Sequence, residues 1–379
     1  MRSSASAPSA RDRLMTPVQA QAVMFLFILG TAILNVPVII TALAKQGAWL
    51  SVLLAALVGW LAPLMVFTLC QKHQGRSLIE VCLSVLGPYA GALLGAGYVL
   101  YAVHLGVLVA NDVGMFETMV LQPETPLWAF HLLLLLVAVC AYRLGPEVLG
   151  RFSQMLLLIV IVVIALTFLL LIGKLHPENL LPVLGGGWRR IVAGAYPAVG
   201  FPFLETVIVT GWILPRVEET ARFLRRMAVA YFLGTGFLVL VMLFTLMVFG
   251  AEWTAHLTYP LYALAQQAGI SDVIERIEAL TLIAWIACVQ IKLIVCFAFA
   301  LDGLRTLLRL PDARLFSIPL AVAMIIFAET IVPSEVHLTE SVNIYWTPYS
   351  SLFGVFVPLL LLVVTWIRGM GKKRRKASL

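Results

Sequence analysis

Four ionisable residues fall inside stretches that are otherwise apolar: His104, Asp112, Glu205 and Lys292. A charge withdrawn from water must be paired, neutralised or put to use. Lys292 lies about ten residues before Asp302, well inside its apolar stretch, and Glu205 closes a Gly- and Pro-rich segment. If their two helices run in the same direction, ammonium and carboxylate stand at similar depth and can pair. Such a pair either locks two helices together or acts as a proton-sensitive coupling group. His104 reads either as a hydrogen-bonded packing residue or as a proton carrier. Asn111 and Asp112 lie nearer one end, where they suit an outer vestibule. Gln290 either completes a polar pocket or holds helices together, and Glu329, near an outer end, reads as solvated. No Walker A loop, HExxH or GxSxG is present, so no enzyme is expected. The five cysteines have no metal-ligand spacing and read as small apolar residues; neither metal nor cofactor is expected.

Two segments combine Gly and Pro within apolar sequence. The first runs from Gly30-Thr31-Ala32 to Asn35 and Pro37, and the second from Gly194 through Pro197, Val199, Gly200 and Phe201 to Pro202. Proline removes an amide donor and clashes with the preceding turn, and glycine weakens a helix. Such breaks can simply kink a membrane helix. They can also unwind it beside a cavity, where freed N–H and C=O groups hold a zwitterion.

These residues must be positioned by helices. Hydrophobic residues make up 61% of the 379 and charged residues 12%. Apolar stretches recur at 18–43, 48–70, 90–119, 128–142, 152–173, 188–214, 227–249, 273–301, 315–332 and 344–366. About 20 apolar residues in a helix match the hydrocarbon thickness of a bilayer, and only internally bonded backbones survive there. The reading is an all-α polytopic membrane protein with about ten transmembrane helices. Residues 1–15 read as a disordered tail, 16–367 as the membrane domain and 368–379 as a basic tail. Lys and Arg concentrate in the N-terminal tail, the even-numbered connections and the run 372–376, which places both termini in the cytoplasm. The net charge of +7 serves topology and lipid contact, not nucleic acid.

Ten crossings divide into halves of five, 16–173 and 188–367, and each half opens with one of the two breaks. Five is odd, so two like halves are inverted relative to each other.

Several motifs, in this order, resemble the B subunits of spore-germination receptors, the spore permease family of the amino acid–polyamine–organocation superfamily. They are Met15-Thr16-Pro17-Val18-Gln19, Gly30-Thr31-Ala32-Ile33-Leu34, Gly47-Ala48-Trp49-Leu50-Ser51, Leu144-Gly145-Pro146-Glu147, Asn179-Leu180-Leu181-Pro182, Pro202-Phe203-Leu204-Glu205 and Glu275-Arg276-Ile277-Glu278. The resemblance implies a LeuT-like 5+5 inverted repeat with discontinuous helices 1 and 6. It also implies a membrane subunit of a nutrient germinant receptor in the spore inner membrane or cell membrane. A small germinant, commonly an amino acid, would bind at Gly30, Thr31, Ala32, Val199, Gly200 and Gln290. The implied partners are a membrane A subunit and a lipoprotein C subunit. A proton-coupled amino-acid transporter, with Glu205, Lys292 or His104 titrating, is the alternative function, and a ligand-opened channel subunit is a third.

The charge asymmetry is testable. Reporters fused to the two ends should both give the cytoplasmic signal; opposite signals would require an odd number of crossings.

Overall fold

Thr16 starts the first helix. Its hydroxyl accepts the Gln19 amide while the Gln19 side chain accepts the Thr16 amide, and Pro17 occupies the first turn, where its missing donor costs nothing. A computed structural model describes residues 14–218, 220–268, 277–331 and 342–369. Most of both expected tails, including the basic run 372–376, lies outside the described residues.

The first half comprises α1 (Pro17–Leu29), α2 (Ala32–Ala44), α3 (Ala48–Gly59), α4 (Leu61–Lys72), α5 (Leu78–Leu86), α6 (Pro88–Phe116), α7 (Leu127–Leu144) and α8 (Pro146–Leu171). The second comprises α9 (Trp188–Ala198), α10 (Thr206–Ile213), α11 (Thr220–Thr254), α12 (Pro260–Ala268), α13 (Ile277–Leu308), α14 (Ser317–Ile331), α15 (Thr347–Ser351) and α16 (Val357–Ile367). Among the described residues, nine helical stretches are long and apolar enough to cross a membrane.

The difference from ten sits in the first two expected spans. The expected span 18–43 is cut at Gly30–Thr31, so α1 is too short to count by itself, while α2 runs on through a tight turn into α3 and α4 as one stretch, Ala32–Lys72. That stretch is not straight. A Cβ built on Gly194 of α9 would lie 2.8 Å from Ala44 Cβ, 2.9 Å from Ser51 Oγ and 3.2 Å from Ile40 Cγ2. A straight helix would hold residues 40 and 51 about 16 Å apart. The chain therefore reverses at Lys45–Gly47, where Lys45 has φ 51°, and α2 and α3 are separate crossings.

Both halves wrap α1, α10 and the stretch 288–301 of α13, where most side chains are buried, while the lipid-side faces of α7, α8, α14 and α16 carry exposed Leu, Ile and Val. The chain's start is fastened to the end of the sixth crossing. The Met15 amide donates to Arg216 O (2.8 Å) and the Glu218 amide to Met15 O (3.2 Å). At the other end, the Arg368 guanidinium donates to Val85 O on α5, and Leu78 of α5 lies against Gly211 of α10. Both described ends thus lie at the same end of the bundle.

Close approach at Gly194 predicts that Gly194→Leu destabilises the protein by about 1–3 kcal/mol, as overpacking does. Thermal unfolding of the purified variant measures it; an unchanged midpoint would mean that α9 does not seat between α2 and α3.

Candidate binding site at two helix breaks

The first break lies between α1 and α2. Gly30 leaves the helical region (φ −9°, ψ −112°), and its carbonyl, freed from the ladder, accepts the indole N–H of Trp285 on α13 at 3.1 Å. The second break lies between α9 and α10, where Val199–Leu204 forms a wide turn with Phe201 extended (φ −131°, ψ 111°). Pro197 and Pro202 cannot donate there, so carbonyls a turn earlier lose their partners. At the same break Tyr196 O accepts the Thr347 hydroxyl of α15 at 3.2 Å. At each break a side chain from a later crossing donates to a backbone carbonyl.

The two breaks meet at a buried ion pair. Lys292 Nζ on α13 lies 2.5 Å from Glu205 Oε2, just past the second break, and both side chains are fully buried. The ammonium also donates to Thr31 Oγ1 at the first break (3.0 Å) and stands over the rings of Phe201 (4.9 Å) and Phe27 (5.4 Å). The second carboxylate oxygen accepts Trp346 Nε1 at 2.7 Å. Each charge therefore has its counter-charge and further polar or π partners, which is the condition for tolerating it at depth. Gly30 makes room for the lysine stem: a Cβ there would come within 2.9 Å of Lys292 Cδ.

Beside this pair is a cavity of about 20 Å³, bordered by Thr31, Asn35, Asp112, Phe201, Glu205 and Trp346. Asn35 donates its amide to Asp112 Oδ1 at 2.7 Å, joining the second half of the first crossing to α6. Trp346 is held over the cavity by stacking on Tyr101 (5.7 Å) and by an edge contact with His104 (5.5 Å).

Toward the chain's start, Asp302 forms a second polar junction. Its carboxylate accepts Tyr142 Oη of α7 (2.9 Å), Trp212 Nε1 of α10 (2.9 Å) and Arg216 Nη2 (2.6 Å). Asp302, Trp212, Arg216 and Arg305 border two cavities, of about 900 and 520 Å³, and the larger also touches Ile294, two residues from Lys292.

Of the residues singled out by type, Thr31, Asp112 and Glu205 border the small cavity, and Lys292 bonds to Thr31 and Glu205 at its edge. Gly30 and Ala32 lie buried at the first break, and Val199 and Gly200 lie in the second, with Gly200 against Thr347. Gln290 faces away: its amide donates to Leu134 O on α7 (3.1 Å). His104 sits among aromatic rings, those of Phe327, Trp346 and Tyr349. Glu329 is not simply solvated, because its carboxylate meets buried His131 at 2.8 Å. Trp346 and Thr347 carry little signal in the sequence, because uncharged polar tips in apolar stretches are common; an indole N–H needing a buried acceptor is the only mark of Trp346.

Residues 14–336 match the model of a family described as spore germination protein. Spore germination protein KB of Bacillus subtilis is 24% identical over 363 residues, 94% of either chain. Spore germination protein YndE of the same organism is 23% identical, over 95% of this chain and 98% of its own. Among solved structures, MhsT in complex with L-phenylalanine superposes over 93% of this chain and 99% of its own, with a TM-score of 0.66 at 14% identity. A manganese transporter of Eremococcus coleocola superposes over 97% of this chain and 86% of its own, with a TM-score of 0.57 at 12% identity. These chains share the LeuT-like fold, with its broken first and sixth helices.

The central pair predicts strong coupling. Glu205→Gln or Lys292→Met alone leaves one buried charge without its partner and should cost about 3–5 kcal/mol. The double variant should lose much less than the sum; additive losses in thermal or denaturant unfolding would rule out an energetic pair.

Proposed function

This chain belongs to the spore germination protein family of multi-pass membrane proteins, and we propose that it is the ligand-binding membrane subunit of a nutrient germinant receptor. The observation that carries the proposal is the convergence of the two helix breaks on Thr31, Asp112 and Glu205 around one cavity. Carboxylates there suit an ammonium, and the broken backbone suits a carboxylate, which together favour a small amino acid. The fold neighbour MhsT, seen with L-phenylalanine, supports the same ligand class.

The present cavity of about 20 Å³ has room for one water-sized probe, far less than an amino acid needs. Ligand must therefore select a conformation in which the helix halves stand apart. Its differential affinity for that state shifts the population, and the shift is the signal passed to A and C subunits. The Asp302 junction, which ties α7, α10 and α13 at the other end of the bundle, is where the shift would reach the membrane face. The Lys/Arg asymmetry supports placing that face, with both termini, in the cytoplasm. Proton-coupled amino-acid transport is the second reading, favoured by the larger cavity that extends inward to Ile294.

Thermal-shift measurements with a panel of L-amino acids on the purified protein test the site. A true ligand at about 100 times its Kd should stabilise by about 2.7 kcal/mol, and Thr31→Val or Asp112→Asn should remove most of that gain. No stabilising amino acid, or gains untouched by both variants, would remove this cavity as the site. Saturable uptake into liposomes driven by a pH gradient, without partner subunits, would select transport over sensing.

A further inference from the structure

The seam between α6, α7 and α14 lies apart from the central cavity and holds polar groups that the proposed ligand site does not use. His131 on α7 is fully buried, with Nδ1 2.8 Å from Glu329 Oε1 on α14. Its other ring nitrogen, Nε2, has no partner among the described residues and faces α6, where a Cβ built on Gly114 would lie 3.1 Å away. One turn back on α6, Asn111 is also fully buried. Its amide donates to Ala328 O, beside Glu329, and its Oδ1 has no partner among the described residues.

When Nδ1–H donates to the Glu329 carboxylate, neutral His131 presents a lone pair at Nε2. The seam then holds two unpartnered lone pairs, on His131 and Asn111, in apolar surroundings where such groups are costly. A proton on Nε2 converts one of them into a donor and places a cation beside Glu329. The Glu329 side chain is 37% exposed and lies two residues from the end of α14.

The surrounding charges are few. From α14, Glu329 meets the ring. From α6, Asp112 turns to Asn35, and Glu117 lies nearly a turn beyond Gly114. On α13, Gln290 is neutral and bonds Leu134 O, while Lys292 is committed to Glu205 and Thr31. On α8, Glu147 and Arg151 pair with each other near the opposite end of α7.

We propose that His131 and Glu329 form a proton-binding site, linked to the central cavity through the consecutive residues Asn111 and Asp112 of α6. Asn111 holds α14 beside the pair, and Asp112 holds Asn35 at the cavity. A proton that repositions one therefore acts on the other through a single rigid helix. The site stands whichever ligand the cavity takes, and whether or not it takes one.

The test uses the full-length protein in detergent or nanodiscs with isotope-labelled histidine, read by NMR against pH. The chain has six histidines, and His131→Gln identifies the resonance. That resonance should titrate between about pH 5 and 8, and Glu329→Gln should lower its proton affinity roughly tenfold. Asn35→Ala, a neutral change at the cavity, should move the same midpoint about threefold, because coupling between sites is reciprocal. If His131→Gln does not fold, substitution of the other five histidines one at a time identifies the resonance by exclusion. A His131 signal flat across that range, or a midpoint indifferent to Glu329→Gln, overturns the site. A midpoint indifferent to Asn35→Ala overturns the link to the cavity.

Discussion

A lysine ammonium fully removed from water sets the terms for the rest of this molecule. Lys292, on the eighth crossing, is held by one carboxylate, one hydroxyl and two aromatic faces, drawn from the first and sixth crossings. Losing the carboxylate would leave a buried cation whose desolvation penalty is several kcal/mol. The first and sixth crossings must therefore bring their breaks to the same depth as Lys292. Gly30 is small where the lysine stem passes, and Trp346 comes from the tenth crossing to satisfy the oxygen of Glu205 that the lysine leaves open.

At each break a backbone carbonyl takes a donor from another crossing. Gly30 O takes Trp285, and Tyr196 O takes Thr347. Each donor comes from the second half of the chain, so the unwound segments are specified by tertiary contacts more than by their own glycines and prolines. A ligand offering its own donors and acceptors would compete with such side chains. The break regions thus have two ways to be satisfied, which is the physical basis of a bistable site.

The Asp302 junction has a related construction at the other end of the bundle. One carboxylate gathers three donors from the fourth crossing, the sixth crossing and the segment after it. Because Met15 pairs with the backbone beside Arg216, the start of the first crossing is tied to the same place. The first and sixth crossings are thereby joined at mid-depth and again at their common end.

The class of the protein was legible in the sequence, because lipid leaves a backbone few solutions and long apolar stretches record that constraint residue by residue. Lys292 and Glu205 were legible for the same reason: charges are conspicuous where nearly everything else is apolar. The reversal at Lys45–Gly47 falls in the polar gap between the expected spans 18–43 and 48–70, and the contacts at Gly194 show the same separation of α2 from α3. Gln290 and Glu329 turned to partners on other helices, Leu134 O and His131, because periodicity gives a residue's face but not the neighbour that face meets. Trp346 and Thr347 were silent in sequence and became donors at the site. What the sequence determined by itself was the helices, their spacing and the two places where they must break, all consequences of local backbone chemistry. Which other side chains then meet across those breaks was decided by tertiary structure, since contacts between residues as far apart as Gly30 and Trp285, or Glu205 and Trp346, depend on how the crossings pack and not on any one of them.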